Sequence, residues 1–140
     1  MSSSSVDQAK MYLMGTLILE FIGTIIIFAA NYVGVWAGAY YYEGAFSDTL
    51  ESILMTLAGF LLLITALFSI MGLAKPDIVT KKNILVILGL LGLSLLLSVI
   101  VIASLAITVD YEWWPEAGLY AGIVAPLLSL ALTFLIYKEL

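Results

Sequence analysis

Residues 11–28 read "MYLMGTLILEFIGTIIIF", a nearly pure hydrocarbon run with Glu20 in its middle. A carboxylate at that place is the chain's strongest candidate for chemistry. Lys10 marks one end of the run, and ten helical residues put Glu20 about 15 Å beyond it. The hydrocarbon core of a bilayer is about 30 Å thick, so Glu20 is expected near its midplane. An ionised carboxylate costs much there, and the expected state is protonated and hydrogen-bonded. On a helix, Thr16, Gly23, Thr24, Ile27, Asn31 and Gly34 fall within about 60° of Glu20. Ile18, Ile22 and Ile25 fall opposite. Glu20, Thr16, Thr24 and Asn31 are therefore the candidate intramembrane polar site. Three roles are open for Glu20: a structural hydrogen bond to a neighbouring helix, a charge pair with another subunit, or a proton or cation path. A relay needs several titrating stations, and no other titratable residue is expected at that depth.

The remaining chemistry is sparse. The chain has no cysteine and no histidine. Disulfides, iron–sulfur clusters, thiolate catalysis and haem held by its own side chains are excluded. Glu43 with Asp48, and Glu112 with Glu116, read as solvated loop and cap residues. No catalytic residue and no metal site is expected, and the chain is expected not to be an enzyme by itself. No cofactor is expected on its own side chains; lipid or quinone are the ligands left open. Nothing points to nucleic acid.

The elements that must position Glu20 follow from composition. Of 140 residues, 64% are hydrophobic and only 11% charged, against about 25% charged in a soluble domain. Such a chain cannot cover itself with a water-facing surface. Four runs are long enough to cross a bilayer. The expected fold is all-α, an integral membrane four-helix transmembrane bundle forming one domain over 1–140. Its helices are expected at about 6–36, 49–74, 81–109 and 115–138. The first run is too long for a secretory signal, and Ser5 with Gln8 has the spacing of a capping box.

Orientation is read from charge. The five basic residues are all lysine: Lys10, Lys75, Lys81, Lys82 and Lys138. In an alternating four-span chain they share one side, and the positive-inside rule makes that side, with both termini, cytoplasmic. The outer loops "AYYYEGAFSDTLES" and "VDYEWWPEAG" carry six carboxylates and no base. Their aromatic residues read first as an interfacial belt. The sharper reading makes Tyr41, Tyr42, Trp113 and Trp114 a docking face for a partner. Asp48 and Glu51 at the start of helix 2, and Pro115 and Glu116 at the start of helix 4, suit helix N-termini. With one glutamine and two asparagines, the unneutralised outer acids fit a hot, acidic habitat and an archaeal source.

Small residues mark packing faces. Gly118, Gly122, Ala125 and Ser129 align on helix 4 as the candidate helix-packing face, with Pro126 beside them. Ser52, Thr56, Gly59 and Ala66 align on helix 2, and Ser94 with Ser98 on helix 3. The four-span plan resembles claudins and other tetraspan proteins in topology alone. The W…G-L-W motif and the cysteine pair of their first outer loop are missing, so no function is implied.

The expected function is that of a non-catalytic accessory or assembly subunit of a larger membrane complex, such as a respiratory oxidoreductase of an electron-transport system. Its expected partners are lipids and other membrane subunits, a hetero-complex before a homo-oligomer. The alternatives are a small oligomeric proton or ion channel using Glu20, and a structural protein of an envelope array or virion.

Overall fold

The computed structural model describes residues 3–140. Four helices run Ser3–Ala29 (α1), Leu50–Ala74 (α2), Lys81–Thr108 (α3) and Ala117–Glu139 (α4). All four are long and apolar enough to cross a membrane. A single 3₁₀ turn, Pro76–Ile78, joins α2 to α3. Each helix packs on its two neighbours in a ring, with α1 against α2 and α4, and α3 closing the other side. Thr49 and Thr80 cap α2 and α3, their side chains accepting from Ser52 N and Asn83 N. Helix α1 already contains Ser5, so Ser5 is not an N-cap; its side chain lies outside the described residues.

The bundle is apolar outside, and its core sets a minority of polar side chains among residues such as Ile27, Met55, Leu62 and Leu91. Thr16, Glu20, Thr65, Ser69, Ser94 and Ser129 are all buried, while Ile18, Ile22 and Ile25 are half exposed. The hydroxyls of Thr16, Thr24, Thr65 and Ser69 bond carbonyls of their own helix. Thr24 donates to Glu20 O at 2.7 Å and Thr65 to Leu62 O at 2.7 Å. This i−3 and i−4 pattern lets a polar side chain sit in a dry core at low cost. Other hydroxyls cross between helices, as where Ser94 on α3 donates to Ala58 O on α2 at 2.9 Å.

The fold departs from all-α at one end. Residues 31–36 are not the last turns of helix 1 but strand β1 (Asn31–Trp36). It pairs antiparallel with β2 (Tyr40–Gly44) and β3 (Glu112–Pro115), in the order β2-β1-β3. The segment "NYVGVW" is rich in β-branched and aromatic residues, which favour a pleated surface over a helix. Gly38, at φ +81°, turns the chain between β1 and β2. Pro115 accordingly ends β3 instead of opening helix 4, and Glu116 is the N-cap. Phe46, at φ 69°, is held in its left-handed conformation by Phe28 at 4.9 Å and by Thr56 Oγ1, which accepts from Phe46 N at 2.9 Å.

Candidate functional site

Two polar centres emerge, one inside the bundle and one beneath the sheet. Glu20 has no exposed surface. Ser69 on α2 donates to Glu20 Oε1 at 2.8 Å, and Thr16 Oγ1 lies 3.3 Å from the same serine. The hydrogen-bond partners of Glu20 are hydroxyls, and its own chain encloses it. Glu20 Oε2 and Ser129 Oγ are both buried without a hydrogen-bond partner among the described residues. Contacts of Gly23 with Ala125 and of Gly15 with Leu132 set the register of α1 against α4. That register puts Ser129 at the depth of Glu20. Thr16 donates to Leu13 O at 2.8 Å, and Thr24 faces inward one turn beyond Glu20.

Asn31 does not join this group. It lies in β1, exposed, beyond the end of α1. The helical projection that aligned it with Glu20 fails because the helix stops at Ala29. Ser69 was not singled out in the sequence. The signal for it was present, since Ser52, Gly59, Ala66 and Ser69 recur at helical spacing with Leu62 and Thr65.

The packing residues of α4 occupy close contacts. A Cβ on Gly118 would lie 2.9 Å from Asn31 O, and one on Gly122 would lie 2.6 Å from Ser98 Oγ. Ala125 Cβ faces Gly23, and Ser129 is buried.

The second centre is Tyr32. A register shift between Asn31 and Val33 makes a bulge there, and a bulge re-aims a side chain. Tyr32 is turned fully inward. Its hydroxyl donates to Glu43 Oε2 at 2.7 Å and lies 3.0 Å from Ser52 Oγ. Thr49 also donates to Glu43 Oε2, at 3.3 Å, while capping α2. The network ties β1, β2 and α2 together. Burial, with the Glu43 carboxylate adding to it, pushes the Tyr32 hydroxyl up from 10.0 to about 12. The fold thus favours the neutral phenol. Its stabilising effect is whole below about pH 10, where the unfolded phenol titrates. It is lost as pH rises through about 12. Melting temperatures of the purified protein are expected to fall between these limits. The Tyr32→Phe variant should show a flatter dependence there; equal slopes would count against this network.

The pleat divides the four candidate docking residues. Gly34 pairs with both Tyr42 and Trp114, which therefore share one face, while Val35 pairs with Tyr41 and Trp113 on the other. Trp113 packs against the core beside Val35 and Val109. Tyr41 shares that side but is exposed at the edge strand. The face turned away from the bundle carries Tyr42 and Trp114 together with Tyr40, another of the loop aromatic residues, and Trp36, which the sequence did not point to. Trp36, Tyr40 and Tyr42 are 43%, 66% and 52% exposed.

Three cavities lie at this end. One of about 330 Å³ sits under the sheet, lined by Glu43, Thr49, Glu51, Thr108 and Asp110 among others. Another, of about 340 Å³, opens beside Asn31, Tyr42 and Glu116. The third, about 280 Å³, is apolar and lies between Ile102, Trp113 and Tyr120.

No family model, curated protein or solved structure matches this chain.

Proposed function

We propose that the chain is a non-catalytic accessory or assembly subunit of a larger membrane complex, a respiratory oxidoreductase being one candidate. In this reading both termini are cytoplasmic and the sheet lies outside. The observation that carries it is the outward face of the sheet, an aromatic surface that no element among the described residues covers. Exposed aromatic clusters of this kind are where partners bind most strongly.

The interior supports the same reading over transport. Glu20 sits in a packed group of hydroxyls, whereas the three cavities of about 280, 330 and 340 Å³ lie at the sheet end. A channel would need its polar stations along a wet path. The apolar cavity near Tyr120 offers a lipid chain or a quinone ring a place at the bundle's edge.

Isolation of the tagged full chain from its native membranes in mild detergent tests this. The expected result is co-purification with other membrane subunits in fixed ratio. A homo-oligomer of this chain alone would favour the channel, and an extended sheet would favour the envelope or virion protein.

A further inference from the structure

The outward aromatic residues are held to one another, not scattered along an interface. A Cβ built on Gly34 would lie 2.5 Å from Cε2 and Nε1 of Trp114 and 2.6 Å from its Cζ2. Near-equal approach to three ring atoms means that the indole lies flat on the strand at the one residue without a side chain. Its N–H donates to Glu116 Oε1 at 2.8 Å, which pins the ring by its edge as well. Tyr40 and Tyr42 stand at 75° and 78° to this ring, with centroids 6.0 and 6.3 Å away. Trp36 backs Tyr40 at 4.7 Å. The result is a flat floor with steep aromatic walls. Glu112, paired with Trp36, shares the same face.

Both components select positive charge. Aromatic faces are negative, and cations bind over them within about 6 Å of a ring centre. Glu112 and Glu116 add carboxylates, and the two outer loops hold six acids and no base. A zwitterionic lipid headgroup would bring its cation together with a phosphate, which those acids repel. A basic polypeptide brings positive charge alone. Among basic side chains, arginine can stack its plane on an indole while its N–H fork reaches a carboxylate. Trp114 and Glu116 are already joined in the arrangement such a group needs.

We infer that this face binds an arginine-bearing outer segment of a partner membrane protein. The inference rests on the accessory-subunit reading and names the chemistry of its partner.

The test uses the full chain in a neutral maltoside detergent. It is titrated at low salt with the peptide Gly-Arg-Gly-Arg-Gly and with the same peptide carrying glutamine for arginine, and tryptophan emission is followed. Saturable binding of the arginine peptide alone is expected. Tyr40→Leu with Tyr42→Leu should weaken it about tenfold, and Glu116→Gln should weaken it and reduce its salt dependence. Circular dichroism melts show that each variant remains folded. Absence of saturable binding would overturn the inference. So would loss on Glu116→Gln with no effect of the tyrosine pair, which would mean charge attraction alone. Displacement of the peptide by dodecylphosphocholine would assign the face to a lipid headgroup instead. Native-membrane isolation separates the two readings. A partner retained by the tyrosine variant would sink the docking face and leave the accessory role standing. Tyrosine-dependent peptide binding by a chain that always purifies alone would sink the accessory role and keep the cation specificity.

Discussion

Replacing Gly23 by leucine is expected to abolish the compact bundle. A Cβ at that position would lie 2.5 Å from Ala125 Cβ and 2.9 Å from Leu62 Cδ2. The leucine can rotate away, but the alanine methyl moves only with the backbone of α4. Helices α1 and α4 would have to separate, losing van der Waals contact along their whole length, and contact of this kind is what holds helices together in lipid. Overpacking typically costs about 1–3 kcal/mol and more where the backbone must shift. Gly122→Leu is expected to be milder, because the nearest atoms there are Ser98 Oγ at 2.6 Å and the flexible Met55 Cε at 3.1 Å. Gly89→Leu is the control, since a Cβ built there would meet no atom of another described element within 4 Å. Size-exclusion profiles and melting midpoints of the three variants check the order: Gly23 worst, Gly122 intermediate, Gly89 near wild type. A stable, monodisperse Gly23→Leu protein would show that α1 and α4 do not meet through this residue.

Glu20 variants should grade by chemistry. Gln keeps an acceptor for the Ser69 hydroxyl, so its cost should stay below about 1 kcal/mol. Leu removes the one hydroxyl–carboxyl contact between α1 and α2 at this depth, and about 1–2 kcal/mol is the most such a bond gives in a membrane. If α1 spans a bilayer as its length allows, Lys places a charge near the middle of that span, among hydroxyls and, among the described residues, with no acid beside it. About 2.5–3.5 kcal/mol is the least that insertion scales assign to a charge there. The side chain also cannot escape, because Glu20 has no exposed surface. Assembly yield should therefore fall in the order Gln, Leu, Lys. Proton flux in liposomes should be absent in wild type and variants alike. Robust wild-type flux lost on Glu20→Gln, with assembly intact, would establish transport and end the structural reading.

The four helices were legible in the sequence because a spanning helix is a local object. Its length, its apolarity and its caps are written in about 25 consecutive residues. Burial of Glu20 was legible for the same reason, since a helix face is set by spacing alone. Thr16, Gly23 and Thr24 mark its inward side, and Ile18, Ile22 and Ile25 its outward one. The end of α1 was not legible. "NYVGVW" is apolar enough to continue a helix and rich enough in strand formers to leave one, and its pairing with residues 40–44 and 112–115 goes with the strand. Those pairings join two loops far apart in sequence, and their register decides which residues share a face. A shift of one residue would exchange Trp113 with Trp114. The bulge that turns Tyr32 toward Glu43 and Ser52 is likewise invisible to spacing. Ser69 became the partner of Glu20 through the depth at which α1 and α2 pack, a quantity neither helix carries alone. Residue types and periods determined where the four helices lie and which side of α1 is buried. Only the non-local pairing of strands and the seating of helix on helix decided which groups touch, because those contacts depend on two segments at once.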